Sequence, residues 1–345
     1  KRRPRSARHS LVVGLNFVLL IVLFAAVGGI GALIYGRQAF YAPGPLEESV
    51  RIDIARGSST QAIAQALEET GIISSQHVFF GAVLAQSAQR SIKAGEYELP
   101  AHVSMAEVLD KLVSGEVVQH QVTIAEGLTS AQVVQVLNDM TNLSGTIASI
   151  PPEGSLLPET YSITRGTQRS QLLQRMRDAR DRAVAEAWEN RDPDLPLSSP
   201  EELVTLASIV EKETGVAPER ERVAAVFVNR LNRKMKLQSD PTILYGLYGG
   251  AAWQQQRTIF RSDLDRPNPY NTYQIAALPP GPIANPGLAA LRATANPADT
   301  NELYFVADGT GGHAFSTTYE EHQRNVANWR EIERQRSQNP GQTTQ

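Results

Sequence analysis

The sequence predicts an α+β protein that follows a single N-terminal membrane-spanning helix. Residues 11–35 form an apolar run without a charge, residues 50–138 repeat a pattern of extended run, turn and helix, and residues 199–233 hold two neighbouring amphipathic helices. Short strands and helices of this kind cannot bury their apolar faces alone. We therefore expect small mixed cores after the membrane segment.

Composition limits the classes of function. The 345 residues, 41% of them hydrophobic, can fill one large domain or two to three small ones. A net charge of -3, without a basic stripe after the apolar run, gives no electrostatic basis for binding nucleic acid. Cysteine is absent, which excludes disulfides and thiolate nucleophiles. Because His313 has no companion histidine at metal-ligand spacing, we expect no metal and no cofactor, and a structural or substrate-contact role for this side chain.

Residues 11–35 are the expected membrane anchor, since about 25 uncharged apolar residues can cross a bilayer. Arg37 follows this run closely, whereas five basic residues precede it: Lys1, Arg2, Arg3, Arg5 and Arg8. The positive-inside rule therefore predicts a cytoplasmic tail of residues 1–10 and export of the rest. A cleaved signal peptide is the alternative, but the apolar run continues past the small residues Ala25 and Ala26 and is too long for one.

One pattern recurs three times between residues 50 and 138. Extended runs that alternate apolar and polar residues, as half-buried strands do, cover residues 50–54, 96–99 and 121–124. Each is followed by a capping-box signature, which marks the start of a helix. The three signatures are Ser58 with Gln61, Ser104 with Glu107, and Thr129 with Gln132. We expect small α+β modules here.

Two helices in the second half of the chain are expected to form a hairpin. Ser199 as N-cap, Pro200 at the first helical position and Glu202 at the position of the reciprocal carboxylate of a capping box predict the start of the first helix. Gly215 predicts its end. The second helix is expected over residues 218–233. The connection is too short for anything but a tight turn.

On a helical wheel, Glu211 and Glu213 lie on the two edges of the apolar arc of the first helix, and Lys212 points away from it. A half-buried carboxyl has a raised pKa and can donate a proton near neutral pH and take one back. The alternative is that both glutamates pair with Lys212, Arg220 or Arg222 on a solvated surface. The pattern alone leaves both interpretations open.

Polar residues beside these helices predict a groove for a ligand rich in hydroxyl and amide groups. Tyrosines next to an amide can stack on sugar rings and bond their substituents. For Tyr270 and Tyr273 the alternative is a role as ordinary core aromatics. The expected substrate-binding residues are Asn229, Gln238, Asp240, Asn271 and Tyr273.

Six motifs follow one another in the second half of the chain. They are ASIVEKET at residues 207–214, FVNRL at 227–231, LQSDPTILYG at 237–246, YNTY at 270–273, LPPGPIANPG at 278–287 and LYFVADGTGGHAFS at 303–316. With these motifs the chain resembles the endolytic murein transglycosylases of the YceG-like family. The resemblance extends from the membrane segment to about Trp329.

The resemblance implies that Glu211, the first glutamate of VEKET, is the catalytic acid. It would protonate the oxygen between N-acetylmuramic acid and N-acetylglucosamine, and then deprotonate the muramoyl C6 hydroxyl, which closes on C1 to leave a 1,6-anhydro end. The muramoyl N-acetyl group would stabilise the developing cation, so that no second carboxylate is needed. On the wheel alone Glu213 remains the rival acid, and Asp240 is either a supporting carboxylate or a structural turn cap.

The resemblance also implies the surroundings: a bacterial inner membrane with the N-terminus in the cytoplasm, peptidoglycan strands as substrate, and a membrane-bound peptidoglycan synthase as partner, where cutting would end strand elongation. The first α+β module resembles LysM-like modules, which in related wall enzymes grip the N-acetylated glycan; a mere spacer is the alternative. The expected bounds are residues 1–10 for the tail, 11–35 for the membrane helix, 36–49 for a linker, 50–138 for the LysM-like region, 139–167 for a bridge, 168–335 for the catalytic domain and 336–345 for a flexible tail.

Two other classes of function stay open. One is a non-catalytic wall-binding scaffold, against which the intact VEKET and YNTY segments speak. The other is a muramidase that uses water, which would leave reducing ends in place of anhydro ends.

Overall fold

The computed structural model describes residues 5–250 and 258–338, and for residues 5–11 only the backbone. Parts of three expected segments lie outside the described residues: residues 1–4 of the cytoplasmic tail, 251–257 of the catalytic domain and 339–345 of the flexible tail.

Two compact units make up the chain, Lys1–His120 and Gln121–Gln345. Both contain helices and strands, so the α+β class is confirmed. The division falls inside the expected region of residues 50–138. The domain bounds derived from the sequence stay predictions.

Helix α1 (Arg5–Tyr41) contains the expected membrane anchor. Its stretch Val12–Tyr41 has a mean hydropathy of 2.8 and is long and apolar enough to cross a bilayer. The apolar side chains of this stretch are exposed up to Tyr35. Near the end of the helix, Phe40 is instead buried in the core of the first unit.

The first unit packs helices against a two-stranded sheet. Strand β1 (Val50–Ile54) pairs antiparallel with β2 (Gly95–Leu99), with Val50 opposite Leu99. Helices α2 (Thr60–Glu69) and α3 (Gln76–Ala85) lie between these strands in sequence, and α4 (Met105–Ser114) follows them. The buried ring of Tyr97 lies at the centre, and its hydroxyl donates a hydrogen bond to the Lys93 carbonyl at 2.7 Å.

The expected capping boxes are confirmed at Ser104 and at Thr129. The box expected at Ser58 is wrong. Ser59 is the N-cap of α2, and its hydroxyl accepts a hydrogen bond from the N–H of Ala62 at 3.1 Å. The helix therefore begins one residue later than the signature at Ser58 predicts.

The second unit is mainly helical, with short two-stranded sheets. Strand β3 (His120–Thr123) pairs with β5 (Thr160–Ile163), β4 (Leu143–Ser144) pairs in parallel with β6 (Thr167–Gln168), and β7 (Tyr304–Ala307) pairs antiparallel with β8 (His313–Ser316). The helices are α5 (Ser130–Asp139), α6 (Arg169–Glu189), α7 (Pro200–Glu213), α8 (Arg220–Asn232), α9 (Asp240–Tyr248), α10 (Arg261–Leu264), α11 (Leu288–Ala295) and α12 (Tyr319–Gln338), and a 3-10 turn, Ala217–Glu219, precedes α8.

Helix α7 is the centre of this unit. It packs against α6, α8, α9 and α11, and all residues from Leu203 to Val210 are buried. The expectation of one apolar face is therefore wrong for this helix, because its middle is covered on all sides. A helix that is apolar all round belongs in a core. The buried Ser208 hydroxyl donates a hydrogen bond to the Thr205 carbonyl at 2.7 Å and accepts one from the N–H of Ile283 at 3.0 Å.

Asn285 joins two distant segments of the second unit. Its side-chain nitrogen donates to the Leu128 carbonyl at 3.0 Å and to the Ser130 hydroxyl at 3.2 Å, and its side-chain oxygen accepts from the N–H of Leu156 at 3.1 Å. The side chain is fully buried. Its hydrogen bonds hold the loop before α5 against the loop before α11.

We expect Asn285→Ala to lower the free energy of unfolding by about 3 kcal/mol, because buried donors and acceptors lose their partners. Asn232→Ala, at the exposed end of α8, is the matched control and should change it by less than about 0.5 kcal/mol. Urea unfolding measures both. Equal stability of the two variants would contradict the role given to Asn285.

Candidate active site

Helix α7 leaves the core at its last turn, where Glu211, Lys212 and Glu213 are half-buried. Lys212 does not point into solvent as expected. Its Nζ donates a hydrogen bond to the Gly127 carbonyl at 3.2 Å, and burial lowers the pKa of its amine. The negative end of the helix dipole also disfavours carboxylates at this turn. The turn thus presents two carboxyls whose surroundings favour the neutral form.

Glu211 is held by the backbone in front of α11. Its Oε2 accepts a hydrogen bond from the N–H of Gly287 at 3.0 Å. Burial raises the pKa of Glu211; the hydrogen bond from Gly287 opposes this rise, the charge of Glu126 adds to it, and Arg220 and Lys212 lower the pKa. A carboxyl under such opposed influences can donate a proton near neutral pH and then accept one.

Glycines allow the backbone to approach Glu211 from two sides. A Cβ on Gly127 would lie 3.4 Å from the Cγ of Glu211, and the backbone there has a left-handed φ of 73°. A Cβ on Gly287 would collide with the carboxylate of Glu126. The missing Cβ of Gly287 thus leaves room for the Glu126 carboxylate next to the residue whose N–H binds Glu211.

Glu213 lies on the other edge of α7, among different neighbours. Its Oε1 accepts a hydrogen bond from the Ser239 hydroxyl at 2.5 Å. Burial raises the pKa of Glu213 to about 7; the bond from Ser239 lowers it, Asp240 raises it, and His313 and Arg230 lower it. Glu213 is thus the second desolvated carboxyl of the same helical turn.

Three of the expected groove residues lie near Glu213. The Tyr273 hydroxyl donates to Oδ1 of the exposed Asp240 at 2.7 Å, and burial, with the Asp240 carboxylate, raises the pKa of this tyrosine. Gln238 is exposed, with a left-handed φ of 52°, and its N–H donates to the Thr272 carbonyl at 3.2 Å. The polar cluster expected around the glutamates is therefore built beside Glu213.

The two expected groove asparagines hold loops in place. The Asn229 side chain donates to the carbonyls of Thr300 at 2.8 Å and Glu302 at 3.0 Å. Asn271 is fully buried, and its side chain donates to the carbonyls of Leu264 and Arg266. Both side-chain nitrogens are occupied by backbone acceptors.

Two basic residues lie near Glu213, Arg230 on α8 and His313 on the last hairpin. Arg230 is buried; its Nε donates to the Leu303 carbonyl at 2.7 Å, and burial lowers the pKa of its guanidinium. The Nδ1 of His313 lies 2.7 Å from Oε2 of Glu219. The structure thus gives His313 a carboxylate partner.

Glu126 and Glu153 were not singled out by the sequence analysis. Burial raises the pKa of Glu153, whose Oε1 accepts a hydrogen bond from the N–H of Ser130 at 2.7 Å. Each of these glutamates precedes a glycine with positive φ, 73° at Gly127 and 71° at Gly154. A Glu-Gly pair in a loop is the sequence signal that could have identified both.

Comparisons with known proteins place the chain in a family. The profile of the YceG-like family matches residues 52–328. A Bacillus subtilis (strain 168) protein named endolytic murein transglycosylase is 30% identical over 329 residues, which cover 85% of this chain and 89% of that protein. A protein of the same name from Streptococcus pneumoniae serotype 2 is 29% identical over 365 residues, which cover 92% of this chain and 65% of that protein.

A crystal structure of a YceG-like protein from Listeria monocytogenes is 30% identical to the chain, covering 81% of it and 99% of that protein, with a TM-score of 0.48. The family profile spans more than half of the sequence, and the Bacillus relative is matched over most of its length. The chain therefore belongs to the YceG-like family.

Proposed function

We propose that the chain is a membrane-anchored lytic transglycosylase that cuts the β-1,4 bond between N-acetylmuramic acid and N-acetylglucosamine within peptidoglycan strands. The observation that carries this proposal is Glu211, a half-buried carboxyl with a raised pKa at the position that the family motif gives to the acid. The name of the two relatives, endolytic murein transglycosylase, supports the glycan substrate and cuts inside the strand.

In the proposed reaction Glu211 donates its proton to the glycosidic oxygen as the bond to C1 breaks. The muramoyl N-acetyl group stabilises the developing cation. The Glu211 carboxylate then takes the proton of the muramoyl C6 hydroxyl, and the C6 oxygen bonds to C1. The products are a 1,6-anhydro-muramoyl end and a free C4 hydroxyl, so no water is consumed and the acid regains its proton.

Glu211 is favoured over Glu213 by its surroundings as well as by the motif. Glu213 already holds the Ser239 hydroxyl and is packed beside Arg230, whereas the Glu211 carboxyl receives one hydrogen bond, from a backbone N–H, within the part of the chain that the structure describes. A carboxyl that must exchange protons with a substrate needs an unoccupied oxygen. We assign Glu213 to the support of the groove in which Asp240 and Tyr273 contact substrate.

One observation favours a second candidate, a muramidase that uses water. Glu126 is a second carboxylate whose charge acts on Glu211. Hydrolytic glycosidases use such a second carboxylate as nucleophile or base. The chemical nature of the new chain ends distinguishes the two reactions.

Membrane attachment would place this activity next to newly made strands. The apolar helix α1 and the basic residues before it favour a single span with the N-terminus in the cytoplasm and both units outside. From this position the enzyme meets nascent glycan close to the membrane. We include in the proposal that it ends strand elongation beside a membrane-bound peptidoglycan synthase.

The first unit would grip the glycan as LysM-like modules do. Its order of β1, α2, α3 and β2, with the two strands antiparallel, supports this part of the proposal. A helical hairpin of α7 and α8 in the second unit would carry the acid. The bounds expected from the sequence, residues 50–138 and 168–335, stay part of the proposal.

We expect the region 50–345 to release internal fragments with 1,6-anhydro ends from purified glycan strands. Glu211→Gln should slow this about a thousandfold, because a general acid contributes two to four orders of magnitude. Glu213→Gln should keep cutting. Mass spectrometry of the fragments measures both rate and end group. Reducing ends would identify a hydrolase, and full activity of Glu211→Gln would move the acid elsewhere.

We expect Glu213→Gln to flatten the pH dependence of stability. The folded protein holds this proton more tightly than the unfolded chain, so the stabilisation is present below about pH 4.5 and is lost as the pH rises to about 7. The loss is at most about 3 kcal/mol. Urea unfolding at pH 5 and pH 8 measures it. A fall of the same size in wild type and variant would contradict the raised pKa of Glu213.

We expect the region 37–345, which keeps the core residues Phe40 and Leu46, to sediment with purified peptidoglycan more completely than the region 121–345, which lacks the first unit. A LysM-like grip adds contacts with N-acetylated sugars that the second unit does not have. Bound and free fractions at several protein concentrations give the two affinities. Equal affinities would make the first unit a spacer.

A further inference from the structure

The second unit contains a cavity of about 670 Å³ that is lined by Glu126 and by the start of α11. It lies between the end of α6, the start of α8 and the helix α11. Glu126 lines it and also lies against Gly287, whose N–H holds Glu211. The residues that follow Gly287 in α11, Leu288 and Ala289, form part of its wall. One backbone segment thus connects the cavity to the proposed acid.

Arg220 is the unusual side chain of this cavity. Its Nε is buried and donates no hydrogen bond to any residue in the ranges 5–250 and 258–338. Leaving a buried donor unpaired is costly, and for a charged group more so. Arg292, the other cation of the wall, bonds Oε1 of Glu186 at 2.8 Å. Arg220 is therefore a cation on the wall whose buried Nε has no acceptor among the described residues, and its charge also acts on Glu211.

The remaining lining residues narrow the chemistry of a ligand for this cavity. Glu126 and Glu221 are exposed carboxylates on the wall, so the cavity combines the Arg220 guanidinium, which can bind an anion, with acceptors for N–H groups or an amine. A ligand that carries only negative charge would be repelled by them. A ligand with a carboxylate, amide N–H groups and an amine meets complementary groups throughout.

The apolar part of the wall also argues against a sugar ring. It consists of small side chains, among them Ala187, Ala217 and Ala289, and no aromatic side chain lines the cavity within the described part of the chain. Sugar rings usually pack on aromatic faces. A wall that consists of alanine side chains can accommodate a short peptide whose own side chains are small.

We infer that this cavity binds the stem peptide of the muramoyl residue that is being cut, with a stem carboxylate on Arg220. The inference rests on the proposed function and names a further part of its substrate. The stem is attached through a lactyl group to C3 of the ring whose C1 and C6 react. When that ring is bound at Glu211, its stem peptide must extend from C3 over a neighbouring part of the protein surface. The cavity beside Gly287 is one such neighbouring part.

The consequence is a preference for strands that still carry their stems. We expect the full chain in detergent to cut stem-bearing strands about tenfold faster than the same strands stripped by an amidase, since one charge-assisted hydrogen bond is worth about that factor. The ratio of the two rates should fall to about one in Arg220→Gln. Taking a ratio removes any effect of Arg220 on Glu211 that is common to both substrates.

A second variant tests the cavity without touching a charge. Ala289→Phe places a bulky ring from an exposed position into the cavity and should also bring the ratio to about one. The matched controls are Ala185→Phe on α6 and Arg233→Gln after α8. Both residues are exposed and neither lines the cavity, so both variants should keep the wild-type ratio. A wild-type ratio of one, or a ratio unchanged in both cavity variants, overturns the inference.

A binding measurement tests the assignment of the cavity independently of the proposed reaction. N-acetylmuramoyl-L-alanyl-D-isoglutamine, titrated into the Glu211→Gln protein, should bind about tenfold more tightly than to the Glu211→Gln, Arg220→Gln protein. If no strand is cut but this difference appears, the reaction is wrong and the cavity assignment stands. If strands are cut and the two proteins bind the probe equally, the cavity assignment is wrong and the reaction stands.

Discussion

The complete burial of α7 is the constraint on which the rest of the second unit depends. A helix covered on all sides from Leu203 to Val210 cannot shift or rotate without opening contacts with four other helices. Each buried aliphatic side chain contributes about 1.5–3 kcal/mol to this packing. The last turn of α7 is therefore held in one place. The Glu211 and Glu213 carboxyls on this turn are partly shielded from water in fixed surroundings.

Helix geometry makes the Glu211 and Glu213 side chains of that turn point in different directions. Residues two apart lie about 200° apart around an α-helix, so Glu211 and Glu213 face nearly opposite directions. Their neighbours are different residues: Gly287 and Glu126 for the one, Ser239 and Asp240 for the other. One turn thus carries two half-buried acids that do not share a proton, which suits a reaction with a single acid.

Local patterns predicted the elements, and tertiary contacts decided how polar side chains are used. The membrane helix and the caps at Ser104 and Thr129 depend on neighbouring residues alone, so the sequence was sufficient for them. The Asn271 side chain donates to a backbone carbonyl because the chain turns back on itself between residues 264 and 271. The spacing of apolar residues in the sequence does not predict such a turn, and so it could not show whether this side chain faces a groove. The sequence analysis missed Glu126 and Glu153 for a related reason. Both lie in loops, where no regular spacing of apolar residues shows which side chains are buried.

A lone acid that later acts as a base needs a balanced environment. Burial and Glu126 favour the protonated form of Glu211, whereas the N–H of Gly287, Arg220 and Lys212 favour the carboxylate. If burial acted alone, the group would donate a proton only at high cost; if the cations acted alone, it would hold no proton to donate. A stem carboxylate on Arg220 would neutralise one of those cations when substrate binds. The proposed acid would then become more fully protonated in the complex that requires its proton.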